Sequence, residues 1–104
     1  MSQPIFIYVT VPTKEVALSI AQTLLEKKLI TCANIFPITT VYHWEGQVNQ
    51  GDEQVVLLKT FDHLYQVIQQ EIQQIHPYRI PAIIKFSVEL NAAFLAWMQE
   101  ALVR

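Results

Sequence analysis

Glycine and cysteine are nearly missing from this sequence: Gly46 and Gly51 are its only glycines and Cys32 its only cysteine. Two isolated glycines cannot build a Walker loop or a Rossmann turn, in which several glycines let backbone amides approach a phosphate. A lone thiol cannot form an internal disulfide, and we expect a reducing compartment. Cationic charge is also sparse. Seven Lys and Arg against nine Asp and Glu leave a net charge of −2, and no basic run exceeds Lys27-Lys28. Binding to a phosphate backbone needs several cations on one face, so nucleic acid is not an expected partner. The apolar run Ile5 to Val11 is too short for a signal-peptide core with its flanks or for a membrane span, and no basic segment precedes it. We therefore expect a cytoplasmic protein without membrane contact.

What the sequence does have is apolar mass. Hydrophobic residues make up 52% of the 104 and charged residues 15%, a balance too apolar for disorder. The whole chain, residues 1–104, is expected to fold as one domain. A domain of this size buries only about two thirds of the surface its unfolded chain exposes. So large an apolar share predicts that part of it lies in a subunit interface.

Ile5 to Val11 is continuous and rich in β-branched and aromatic residues, which predicts a strand in the middle of a sheet or one covered on both faces. Pro12 ends it and Thr13 is placed to cap a helix over about Lys14 to Lys28, with apolar residues at Val16, Ala17, Ile20, Ala21, Leu24 and Leu25. Ile30 to Trp44 predicts a long second strand in which Pro37, lacking an N–H, marks an edge, a bulge or a bend. Glu45-Gly46 supplies a turn, and the chain returns to Glu53–Thr60, with Asn49–Asp52 expected as a bulge or second loop. Thr60 or Asp62 is placed to cap a second helix that Pro77 stops. Ala82–Val88 predicts a fourth strand and Asn91 the cap of a short last helix. The order βαββαβα fits an α+β, split βαβ sandwich: two helices on one face of a four-stranded antiparallel sheet, with an extended hairpin between the second and third strands. Ile, Val, Leu and Tyr point to both faces of such a sheet, and another subunit is the simplest cover for the face without helices.

Candidate ligands are few. His43, His63, His76 and Cys32 are not closely paired, so a metal site requires long-range assembly, or copies of one His meeting around the axis of a trimer. His43 reads as an exposed or hydrogen-bonded strand residue and His63 as part of a helix's first turn. His76 lies at a helix stop, where its imidazole either caps the last carbonyls or stays open to a ligand. Cys32 reads as a small buried hydrophobe with no neighbouring cation to activate it. Tyr42 and Trp44 share a face at a spacing of two and suit packing, an interface or a ligand cleft. Glu45, Glu53 and Glu89 are the acid–base candidates, but each also reads as a solvated turn or edge residue, and no enzyme is expected.

Several blocks, in order, carry a resemblance: Tyr8-Val9-Thr10-Val11-Pro12, Cys32-Ala33-Asn34-Ile35, Tyr42-His43-Trp44-Glu45-Gly46, Leu58-Lys59-Thr60, His76-Pro77-Tyr78-Arg79-Ile80-Pro81 and Phe94-Leu95-Ala96-Trp97. Together they resemble the CutA divalent-cation tolerance family over about Ile5 to Val103. The resemblance implies a ferredoxin-like protomer in a tight homotrimer, similar to the PII signalling proteins, with the hairpin reaching onto neighbours. It implies a role in copper and other divalent-cation tolerance without a required cofactor, or an interaction module acting through a partner protein. The ligand positions proposed for copper in the family fall on Val9, Ile75 and His76, of which only His76 has a donor. A copper site of that kind would need Cys32 or another subunit. The resemblance also implies a cleft at the subunit boundary near Tyr42, Trp44, Lys59, His76, Tyr78 and Glu89.

Overall fold

Alternation along the first strand sets the layers. In the computed structural model, which describes residues 2–103, β1 (Pro4–Val11) buries Ile5, Ile7, Val9 and Val11 and turns Phe6, Tyr8 and Thr10 to the opposite face. Period-two geometry makes this split unavoidable once one face is packed. The buried side meets α1 (Lys14–Glu26) through Ala17, Ile20, Ala21 and Leu24, and α2 (Tyr65–Ile75) through Ile68 and Ile72. Val56 and Leu58 of β3 (Gln47–Phe61) and Ile30 complete this core.

β1 lies inside the sheet, antiparallel to β3 on one side and to β4 (Ile83–Ser87) on the other. With β2 (Cys32–Trp44) beyond β3, the strand order is β2-β3-β1-β4. Each βαβ unit thus has another strand inserted between its two parallel members, the split arrangement expected from the element order. A last helix, α3 (Ala92–Val103), follows β4.

Three local expectations are corrected. First, the second and third strands contain no bulge: the register runs unbroken from Trp44↔Gln47 to Cys32↔Lys59, and Gly51 simply faces Thr40. The tight turn at Glu45 (φ 51) and Gly46 (φ 78) fixes that register, because two consecutive left-handed residues match the twist of a two-residue hairpin. Pro37 is accommodated because β2 is an edge strand. Second, α1 ends at Glu26 and not at Lys28. Lys28 turns left-handed (φ 56), and its N–H and that of Leu29 bond back to the carbonyls of Leu25 and Leu24 at 3.0 Å each, a Schellman closure built without the usual glycine. Third, neither Thr60 nor Asp62 caps α2. Thr60 is buried in β3 with its hydroxyl on the Leu29 carbonyl at 2.6 Å, and the Asp62 carboxylate accepts from Lys85 at 2.6 Å. A short 3₁₀ turn at Asp62–Leu64 precedes the helix instead.

β1 stops pairing with β3 at Val11↔Gln54, yet β2 and β3 continue together to the turn. This leaves a two-stranded arm projecting from the body, and body and arm together measure 45 × 25 × 21 Å. A compact chain of this length has a radius of gyration of about 13 Å; the observed 14.5 Å reflects the arm.

Candidate functional site

One cluster of hydrogen-bonded polar side chains lies where the arm leaves the body. Glu53 is the first residue of β3 beyond the last row shared with β1. Its carboxylate receives two hydroxyls: Thr40 Oγ1 donates to Oε1 at 2.5 Å, and the Tyr78 phenol donates to Oε2 at 2.6 Å. Both bonds are charge-assisted and short. Thr40 belongs to β2 and sits diagonally across from Glu53 on the same face.

Tyr78 is delivered by the turn that follows α2. The backbone N–H of His76 bonds to the Ile72 carbonyl at 2.8 Å and closes the helix. The His76 ring then ties the turn to β1, with Nε2 2.8 Å from the Thr10 carbonyl oxygen, while the Tyr78 N–H donates to Nδ1 at 3.0 Å. An Nδ1 that accepts must be bare, so Nε2 carries the hydrogen and donates to Thr10. His76 is only 8% exposed, and its ring lies 4.8 Å from that of Tyr78. Burial, the hydrogen bond to Glu53, the Glu53 charge and the nearby Tyr42 phenol hold the Tyr78 hydroxyl well above its ordinary pKa of 10.0.

Of the residues singled out in the sequence, Glu53, His76, Tyr78 and Tyr42 meet here. Trp44 sits at the arm's tip opposite Gln47, 53% exposed. Lys59 lies toward the other end of β3, about 20 Å from Glu53 along the strand. It faces Cys32 and Phe6 across the sheet, and its ammonium is 5.2 Å from the ring centroids of both Phe6 and Phe94. Glu89 is exposed in the connection from β4 to α3. One chain therefore does not bring Trp44, Lys59 and Glu89 together with the His76 cluster. Val9 is fully buried among the core aliphatics and Ile75 is exposed at the end of α2. Cys32 is half-buried beside Thr31, His43 is exposed on the arm, and His63 stacks 6.4 Å from Phe61.

Thr40 was not legible as a site residue, and Glu53, one of three acid–base candidates, read equally as a solvated turn or edge carboxylate. Their meeting depends on hairpin register, and the His76 anchor is a backbone carbonyl that no side-chain motif records.

A divalent cation needs several donors converging on one point. Among the described residues no three His, Cys, Asp or Glu side chains do so. With both His76 nitrogens engaged by backbone groups and no donor atoms on Val9 or Ile75, one chain alone does not fit a resident metal.

The fold and this cluster define a class: a small α+β protein with a split βαβ sheet, a protruding β arm and a hydrogen-bonded lock at the arm's root. The chain belongs to the CutA1 divalent ion tolerance protein family, whose model matches residues 5–101. It is 36% identical over 96 residues to the divalent-cation tolerance protein CutA of Thermus thermophilus, covering 90% of this chain and 93% of that one. Among solved structures it matches the divalent ion tolerance protein CutA1 of Ehrlichia chaffeensis with a TM-score of 0.92 at 42% identity, covering 98% and 97% of the two chains. The protein from Archaeoglobus fulgidus described as a periplasmic divalent cation tolerance protein CutA matches with a TM-score of 0.91 at 37% identity, covering 95% and 98%. No helix among the described residues is long and apolar enough to cross a membrane.

Proposed function

We propose that this chain works as a single-domain, non-enzymatic, cytoplasmic homotrimer in divalent-cation tolerance, with copper the leading cation, and that it meets a cation or small ligand weakly at the boundaries between copies. The observation that carries this reading is the arm. A two-stranded hairpin is marginal in water by itself, yet here Val41, Tyr42, Trp44 and Val48 are all exposed on it. The sheet face opposite α1 and α2 points the same way, with Phe36, Ile84 and Phe86 at 39%, 46% and 49% exposure. The accessible surface of 6645 Å² exceeds the roughly 6,000 Å² of a compact monomer of this mass. Neighbouring copies that cover arm and face remove this excess, and they bring Trp44, Lys59 and Glu89 of different chains within reach of the Tyr42–Tyr78 cluster.

His76 is this chain's candidate cation contact. To ligate through Nδ1 it gives up the Tyr78 N–H, and through Nε2 the Thr10 carbonyl, so affinity is expected to be low. Calorimetric titration with Cu²⁺ and Zn²⁺ of the parent and of His76→Ala is the test. A smaller binding enthalpy in the variant supports the assignment, and identical isotherms remove His76 from it. Fractionation of cells expressing the tagged chain checks the compartment.

A second reading is favoured by the exposed Trp44 at the tip of the arm: a PII-like module that signals through a partner protein. Under it, Trp44→Ala abolishes partner capture while cation titration is unchanged; under the first reading capture does not depend on Trp44.

A further inference from the structure

We infer that Tyr78 is the positioning residue of the arm: the turn at 76–78 and the fork at Glu53 form one latch that sets the angle at which the β2-β3 hairpin leaves the body. The inference does not depend on any cation. Its basis is an unbroken series of hydrogen bonds that crosses four elements. The His76 N–H holds α2, the His76 ring holds β1 at Thr10, one residue before its end, the Tyr78 N–H holds the His76 ring, and the Tyr78 hydroxyl holds Glu53 of β3, which in turn accepts from Thr40 of β2.

Position gives the series its leverage. Below the fork, β3 is held by strands on both sides; above it, each arm strand has one neighbour from its own chain. Bending is therefore easiest just beyond the row where the third strand ends, and the Glu53 carboxylate sits on the first row past it. From Glu53 to the turn the arm runs about 24 Å, so a 10° change at the root moves the tip by about 4 Å, enough to shift Trp44 by a side chain's width. Pro77 next to the anchored His76 and Pro81 beyond Tyr78 restrict the backbone that delivers the hydroxyl. Loss of a single oxygen at Tyr78 separates the arm from the body's frame without removing any core atom. Glu53 then keeps its bond to Thr40, which lies wholly within the arm and cannot orient it.

Amide exchange by mass spectrometry on the full chain tests this, comparing the parent with Tyr78→Phe and Glu53→Gln. Both variants are expected to raise exchange five-fold or more in peptides covering residues 38–53, with the β1 and α1 peptides unchanged. Trp44 anisotropy in a Trp97→Phe background should fall in the same two variants. Unchanged exchange in the arm overturns the inference. So does a uniform rise across the chain, which would mean that Tyr78 contributes only to general stability. Thr40→Val serves as the internal comparison: it removes an arm-internal bond, and an effect on Trp44 as large as that of Tyr78→Phe also overturns the inference.

Discussion

The Tyr78 hydroxyl shows how one atom acquires its properties from its neighbours. Partly withdrawn from water and bonded to a carboxylate, it resists ionisation, so its pKa in the folded state lies above 10.0, its value in the unfolded chain. A group whose pKa is raised by folding stabilises the fold fully below its unfolded pKa and loses that contribution as pH climbs toward the folded value. We therefore expect the parent's melting temperature to fall more steeply above pH 10 than that of Tyr78→Phe, with the two curves parallel between pH 7 and 9. Absorbance at 295 nm should show one tyrosine ionising last, and that phase should vanish in the variant. Elsewhere the residue scale is governed by packing. Ile7 is fully buried at the centre of β1, so Ile7→Ala should cost about 2–5 kcal/mol in urea unfolding, the range for deleting a buried aliphatic side chain.

At the scale of the element, the end of α1 holds a removable strain. Lys28 occupies the left-handed position of a Schellman closure, a conformation that costs an L-residue about 1 kcal/mol relative to glycine. Lys28→Gly is expected to stabilise the protein by up to about 1 kcal/mol, read as a higher denaturation midpoint at constant slope. The same site explains why the helix reads two residues too long in the sequence. Without a glycine stop signal, the Lys27-Lys28 pair suggests only a favourable charge at a helix end. The arm is the converse case. Asn49-Gln50-Gly51-Asp52 has the composition of a loop, yet these residues form a straight strand because the Glu45-Gly46 turn fixes the register and every arm residue has a partner opposite. Turn geometry prevailed over composition.

For the whole molecule, the sheet has one packed face and one apolar face that is incompletely covered. α3 offers little relief: it is apolar around its circumference, but only Met98 is buried on it, and an all-round apolar helix is normally enclosed. On the proposed assembly, Phe86→Glu puts a charge opposite Phe6 on the open face and should shift sedimentation from three times 12.0 kDa to the single chain. Far-UV circular dichroism should be retained, since the core under α1 and α2 is untouched. A parent sedimenting as one chain would remove the trimer from the account. Much of this architecture was legible in the order of elements, because hydrophobic periodicity, proline stops and the Glu-Gly turn are local signals that survive in one dimension. The sequence by itself determined four strands, three helices, the long hairpin and an apolar excess with nowhere to go inside one small core. Only the tertiary structure decided that Glu53, Thr40, His76 and Tyr78 form one lock, because that lock depends on a register between distant strands and on a backbone carbonyl at Thr10, neither of which has a side-chain signature.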